Sequence, residues 1–224
     1  MTFDPASRSK LTTHDLGRFT GDTMFDRLAR AVCEAECLPR KELYEAWEVA
    51  RRVRRRIRGR RVLDLAGGHG LLAHALLLLD DTSPTAVVVD RLVPPSAATL
   101  SERLEVTWPR LRGRVAYQAG DLGAVPVTPD DLVVSCHACG ALSDAVLTRA
   151  IESHAAVAVL PCCHDDEASD AGGLTGWLTT PMAIDVMRAM RLQGAGYTIW
   201  TQTIPAAITP QNRLLIGVPR ATVV

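Results

Sequence analysis

Three carboxylates and a glycine turn carry the first chemical signal in this chain. The stretch Val62-Leu63-Asp64-Leu65-Ala66-Gly67-Gly68-His69-Gly70 runs straight into an apolar, helix-like segment. Glycines at a strand-to-helix turn let the backbone approach a ligand with no Cβ in the way. The helix amino terminus behind them favours an anionic group, a carboxylate or a pyrophosphate. Gly68-x-Gly70-x-x-Ala73 satisfies the dinucleotide fingerprint, with Asp90 at a spacing suited to a ribose contact. Asp64, four residues before Gly68, has no place in that fingerprint. Asp90 closes the run AVVVD, and Asp121 follows RVAYQ within Ala-Gly-Asp-Leu. An ionised carboxylate accepts two hydroxyl hydrogen bonds well, so an acid at a strand end can hold a sugar diol. Singly, each acid is an ordinary cap or loop residue. Three at successive strand ends point to one ligand.

A second constellation lies further along. Ser135-Cys136-His137-Ala138-Cys139-Gly140 leads into Ala-Leu-Ser-Asp144, and Leu160-Pro161-Cys162-Cys163-His164 closes a later apolar run. Cys136-x-x-Cys139 ahead of a helix has the form of a redox dithiol, since a helix amino terminus lowers a thiol pKa. Cys136, Cys139, Cys162 and Cys163 together could hold zinc, but the adjacent pair lacks a second Cys-x-x-Cys spacing. Small thiols packing a strand-end pocket are the favoured reading, and no metal ligand is assigned. Cys33 and Cys37 share a helix face and read as buried packing.

The elements that must position these groups follow from the apolar periodicity. Two helical patterns, Asp22 to Cys37 and Arg40 to about Arg58, come first, separated by Pro39 and ended by Gly59. From Arg60 onward short apolar runs alternate with helical stretches. VLDL, AVVVD, RVAYQ, DLVVS and AAVAVLP read as strands. Helices are expected at GLLAHALLLLD, Ser96–Trp108, Leu142–Ser153 and about Ala183–Leu192, and YTIWTQ and RLLIGV as late strands. That rhythm predicts an α/β, Rossmann-like, mainly parallel sheet with helices on both faces. Residues 1–58 form an amino-terminal arm and helical cap, and 59–224 the Rossmann-like domain. Ligands of such sheets bind beyond the carboxyl ends of the strands.

The acid before the Gly-x-Gly turn resembles the first motif of class I S-adenosylmethionine-dependent methyltransferases. The resemblance implies that Asp64, with Ala66, Gly68 and Gly70 in the turn, anchors the methionine end. It implies that Asp90 binds the ribose hydroxyls and that Asp121 faces the adenine. Leu122 and Ser135 are counted with this S-adenosyl-L-methionine site, and the last strand should be antiparallel. Ala66 stands where the family often has a first glycine.

More specifically, HACGALSD is similar to the His-x-Cys-Gly-x-x-x-Asp segment of eukaryotic tRNA ribose 2'-O-methylases, and LPCCH to their Cys-Cys-His segment. The likeness covers about Arg60 to Val218, including ITPQNRLL. Asp165 replaces their second histidine, and their zinc-finger modules are not seen. Methyl transfer to a hydroxyl needs a base beside an in-line nucleophile. His137 and His164 are the candidates, and Asp144 could orient one imidazole. The resemblance implies RNA, through a ribose hydroxyl, as the methyl acceptor; a protein side chain or small metabolite is the alternative.

Composition limits the rest. With 25 basic and 25 acidic residues the formal net charge is zero, which argues against a protein that coats nucleic acid. The one basic run, RRVRRRIRGRR at Arg51–Arg61, suits either a phosphate backbone or a solvated helix end. DDEASD at Asp165–Asp170 reads as an acidic loop beside the site, Trp177 as a lid or a packed aromatic, and Asp185 with Arg188 as a pair one helical turn apart. Asn212 reads as a turn residue or a pocket residue. The first ~20 residues are polar and turn-rich and read as a loose arm. No secretory pattern opens the chain and no apolar stretch is long enough to span a bilayer, so a cytoplasmic setting with reduced thiols is expected.

Overall fold

In the computed structural model, which describes residues 3–220, one seven-stranded sheet organises the chain. Its strands are β1 (Arg61–Leu65), β2 (Ala86–Asp90), β3 (Val115–Ala119), β4 (Asp131–Ser135), β5 (Ala156–Val159), β6 (Tyr197–Thr203) and β7 (Arg213–Pro219). They lie in the order β3-β2-β1-β4-β5-β7-β6. β1 to β5 pair in parallel, with Leu63 opposite both Val87 and Val133. β7 enters antiparallel between β5 and β6, placing Val159 opposite Leu215 and Thr201 opposite the same residue. The antiparallel final strand expected from the resemblance is present.

β4 and β5 are buried at every residue, and β1 at all but its first. Strands covered on both faces need apolar side chains on both, which explains their continuous rather than alternating runs. Edge strand β3 alternates instead, with exposed Ala116, Gln118 and Ala119.

Six α-helices cover the sheet: α1 (Met24–Ala35), α2 (Arg40–Val53), α3 (Leu71–Leu79), α4 (Ala97–Thr107), α5 (Ala141–Glu152) and α6 (Thr180–Gly194). Each falls where the periodicity placed it, within a few residues, except that α2 ends at Val53, short of the basic run. Thr23 caps α1 by accepting the Asp26 N–H at 3.1 Å. α3 is apolar apart from buried His74; five of its six leucines are buried against the sheet and α2, and Leu79 is half-buried. Each buried leucine contributes about 2 kcal/mol of transfer free energy.

α1 and α2 are not a detached appendage. Leu28, Val32, Leu43, Val49 and Val53 join the same hydrophobic cluster as Leu72, Leu76, Val62 and Val134. Residues 3–20 correct the expectation of a loose arm. Leu11 is wholly buried, Phe19 nearly so, and Lys10 bridges to Pro39, with Leu11 N–H bonded to Leu38 O at 2.9 Å. Polar turn residues dominate that segment, but Phe3, Leu11 and Phe19 anchor it, and Arg40 stacks on the Phe3 ring.

The basic run divides among structural contacts. Arg51 and Arg52 pair with Glu48, Arg56 lies over the Trp200 ring, and Arg61 forms a two-pronged ion pair with Asp131. Arg61 and Asp131 open β1 and β4, so this end of the run lies at the amino ends of the parallel strands.

Candidate functional site

The carboxyl ends of β1 to β5 gather the sequence-predicted residues. After β1 the chain turns through Ala66, in the left-handed region at φ 56°, and Gly68 at φ 52°. Gly70, also left-handed, starts α3. Tyr117 Oη donates to His69 O at 2.9 Å and braces the turn from β3. Gly67, absent from the predicted set, is packed too closely for any side chain. A Cβ there would lie 2.7 Å from Asp64 Cγ and 2.8 Å from Val88 Cγ1. At Gly68 a Cβ would meet nothing within 4 Å, so that residue borders open space.

Asp64 is buried to 1% exposure beneath the turn, and the Ala73 N–H at 3.2 Å is its hydrogen-bond partner. Burial pushes its carboxyl up to about 7, against the pull of that N–H, with Asp90 pushing further the same way. An acid held so short of partners suits a cationic group arriving from the cleft.

Asp90 is fixed from behind: Oδ2 accepts the Gly68 N–H at 2.9 Å and Oδ1 the Leu92 N–H at 3.3 Å. Its remaining lone pairs border a cavity of about 260 Å³ that also touches Ala66, Gly120, Asp121, Leu122 and Leu142. Seven of the eight predicted cofactor residues therefore surround the turn and this cavity. Ser135 does not join them. It is buried, and its Oγ accepts the Ala138 N–H at 3.2 Å, so it shapes the loop after β4.

A narrow cleft joins the same turn to the helical cap. Asp64, Gly67, His69, Cys136 and His137 form one side, and Leu38 with Glu42 of α2 the other. Glu42 and His69 were not singled out from the sequence. Burial, then the Glu45 charge, pushes the Glu42 carboxyl up to about 7, with Lys41 opposing. A usable sequence signal was Glu45, an acid within the apolar stripe of α2, which is buried and paired to Lys41 at 3.0 Å.

His137 is solvent-exposed, yet the protein packed around it lowers its pKa, and Lys41 adds to the effect. A histidine held neutral near pH 7 can accept a proton. His164, in contrast, is nearly buried and directs Nε2 to Asp185 Oδ1 at 2.8 Å. Asp185, not Asp144, orients this imidazole. Asp144 is taken by Arg188, whose Nε and Nη2 donate to its two oxygens at 3.0 and 2.8 Å. The Asp144 carboxylate forms no hydrogen bond to either histidine; its two oxygens are held instead by the buried Arg188 guanidinium in a charge-assisted, two-pronged pair. Arg188 also donates to Gly140 O at 3.1 Å and is itself buried, so it acts as an interior clamp.

The cysteines also divide. Cys136 is buried beside Asp64, whereas Cys139, Cys162 and Cys163 converge where the loops after β4 and β5 meet, with Cys139 Sγ 2.9 Å from Cys162 Sγ. Burial pushes the Cys139 thiol above its ordinary value. Cys33 and Cys37 are buried packing, as expected. Trp177 is fully out in solvent at 89% exposure, and Asn212 donates to Ile204 O at 2.9 Å, a turn role.

A second cavity of about 520 Å³ opens between α6 and the β6–β7 pair. Met182, Val186, Ala189, Leu214 and Leu215 give it apolar walls, and it shares Asp185 with the His164 hydrogen bond.

The parallel sheet with antiparallel β7 beside β5 is the fold of the class I methyltransferases. The chain belongs to the family described as methyltransferase domain, whose model matches residues 40–169, more than half the chain. No curated protein gives a significant sequence match.

Among solved structures the chain is similar to an O-methyltransferase family protein from Burkholderia thailandensis, with a TM-score of 0.53 and 20% identity over 93% of this chain and 63% of that one. The S-adenosylmethionine-dependent methyltransferase SibL matches at 0.51 and 19% identity over 94% of this chain and 66% of its own. The B. subtilis tRNA methyltransferase TrmK matches at 0.51 and 13% identity over 77% and 65%. The chain thus spans slightly less than two thirds of the length of these neighbours, and identities this low establish the shared fold alone.

Proposed function

We propose that this enzyme methylates a hydroxyl group on a small, largely apolar molecule. The observation that carries the reading is the 520 Å³ cavity between α6 and β6–β7, of the size that ligand pockets take. It has a mostly apolar surface from residues such as Met182, Val186 and Leu215, and polar groups from Asp185, Arg213 and Thr201 to Thr203. It opens at the carboxyl end of the sheet and shares Asp185 with His164. Bound in the cleft, S-adenosylmethionine supplies a sulfonium-borne methyl group that a nucleophile displaces in line. Asp64 meets the methionine end, Asp90 and Asp121 meet the nucleoside, and Ala66, Gly68, Gly70 and Leu122 shape the space around it. His137 takes the proton from the acceptor hydroxyl, and Glu42 stands across the cleft from it.

A second reading, transfer to an RNA ribose hydroxyl, is supported by the likeness of HACGALSD and LPCCH to the corresponding tRNA-methylase segments. Electrostatics favours the first. Asp165 and Asp166 line the groove beside the cysteines, where a phosphate backbone would be repelled. The basic end at Arg60–Arg61 is engaged with Pro129 O and Asp131 at the far end of the strands.

The deciding experiment incubates the enzyme with labelled S-adenosylmethionine and separated cell fractions of RNA, protein and small molecules. Label in the small-molecule fraction, lost in His137→Ala, is the expected result. Label confined to RNA would replace this reading with the second.

A further inference from the structure

We propose that Cys139, Cys162 and Cys163 bind one zinc ion as thiolates, with the fourth coordination position open to the groove beside them. Their three sulfur atoms lie within 4.8 Å of one another, and among the described residues no other group of three potential ligands converges in this way. Zinc–sulfur bonds of about 2.3 Å in tetrahedral array set sulfurs roughly 3.8 Å apart, so sub-ångström shifts bring the three into place.

The backbone explains how neighbouring cysteines serve one ion. In a strand, Cys162 and Cys163 would point to opposite faces. Here residues 161–165 are irregular, and the loop is tied to the other sulfur-bearing segment by Gly140 N–H bonded to Cys163 O at 3.3 Å. Leu160 N–H bonded to Ser135 O at 3.0 Å holds the two strand ends together just before the loops diverge. Gly140, at φ 56°, packs so close to Asp165 that a Cβ would lie 3.1 Å from the Asp165 Cβ. The two loops are therefore fixed relative to each other before any ion arrives.

The charge and ligand chemistry select the ion. Three thiolates around a dication leave one net negative charge, and Cys139 sits directly before the amino terminus of twelve-residue α5, whose dipole favours it. Sulfur donors select zinc over magnesium or calcium, which demand oxygen. A disulfide would use two of the sulfurs and leave the third without a role. His164, beside Cys163 in sequence, has its Nε2 committed to Asp185, so the fourth position does not draw on that nitrogen.

That position faces an open groove of about 860 Å³ bordered by Cys139, Cys163, His164, Asp165 and Asp166. Leu142 lines both this groove and the cavity at Asp90, so the ion would sit beside the nucleoside site. Three protein ligands and one open position is the form of zinc sites that bind and acidify an external ligand. Zinc ligation by these thiols stands whatever the methyl acceptor proves to be.

The test uses the full chain, purified without chelators and fully reduced. Elemental analysis should find one zinc per chain. After its removal, titration with Co2+ should give the thiolate-to-cobalt charge-transfer band and the visible bands of a tetrahedral site, saturating at one equivalent. Cys139→Ser and Cys163→Ser should lose the charge-transfer band, whereas Cys136→Ala, outside the cluster, should keep it. Absence of the band in reduced wild-type protein overturns the proposal even if every variant misfolds. So does a Cys139–Cys162 disulfide recovered from protein alkylated directly in the lysate, or loss of the band in a folded Cys136→Ala variant.

Discussion

His164 Nε2 and Asp185 Oδ1 stand 2.8 Å apart, joining the loop after β5 to helix α6, and Asp185 Oδ2 accepts from Arg213 Nε at 2.6 Å on β7. One carboxylate thus ties loop, helix and strand together at the carboxyl end of the sheet. Burial pushes the Asp185 carboxyl up, but the hydrogen bonds from His164 and Arg213, with their charges, more than offset it and leave it below the ordinary range. A depressed carboxyl contributes stability that is present above its unfolded pKa and lost as pH falls through the folded one. Asp185→Asn should therefore cost about 2 kcal/mol at pH 7 and markedly less in strong acid, because the wild type loses the same contribution there. Thermal denaturation across pH checks this. An equal cost at both ends would remove the electrostatic account of the clamp.

Asp64 predicts the opposite sign. Its carboxyl is raised to about 7 from an ordinary value near 4, so the ligand-free protein keeps that contribution below about pH 4 and loses it as pH rises through 7. Asp64→Asn should gain stability relative to wild type as pH climbs across that window, by about 4 kcal/mol at most. His74 complicates the wild-type curve alone. Burial pushes its imidazole down to about 4, against the hydrogen bond to Gly70 O, and its contribution fades as pH falls from 6.5 through that value. The comparison of variant with wild type cancels it, and two parallel stability curves would refute the buried-acid reading.

The balance between what was legible and what was not follows from the range of each interaction. Strand and helix identity rests on local periodicity, so the element order from Arg60 onward could be read directly. The acids at Asp64, Asp90 and Asp121 could be read as well, because strand ends of a parallel sheet share one rim by topology. Pairings across the rim could not. Asp144 belongs to Arg188, 44 residues away, and His164 to Asp185, 21 away. Choosing those partners needs the position of α6, which periodicity does not set. The buried start of the chain was missed for a related reason. A few anchors, Leu11 and Phe19, decide its packing, whereas its polar majority decides its appearance.

Asp90 carries the prediction for the cofactor. Its two backbone hydrogen bonds aim the remaining lone pairs at the 260 Å³ cavity, and charge-assisted hydrogen bonds to a diol are worth about 1.5–3 kcal/mol each. Asp90→Ala should weaken S-adenosylmethionine binding at least roughly tenfold while leaving the protein folded. Isothermal calorimetry measures it directly. Unchanged affinity would show that the nucleoside lies elsewhere.

The glycine turn separates stability from binding within two adjacent residues. At Gly67 a new Cβ would press on Asp64 Cγ at 2.7 Å, Val88 Cγ1 at 2.8 Å and Asp64 O at 2.9 Å, one of them backbone and the others side chains packed beneath it. Nothing there can swing aside, so Gly67→Ala should cost about 1–3 kcal/mol of stability. At Gly68 a Cβ meets no protein atom within 4 Å, and the cost is the left-handed φ of 52°, about 1 kcal/mol. The same Cβ, however, projects into the open space that the proposed site assigns to the methyl donor. Gly68→Ala should therefore lose affinity for S-adenosylmethionine out of proportion to its small loss of stability, and Gly67→Ala the reverse. Melting temperatures and calorimetric affinities for the two variants, measured side by side, decide the matter. If both fall on a single line relating stability to affinity, the turn has no separate binding face.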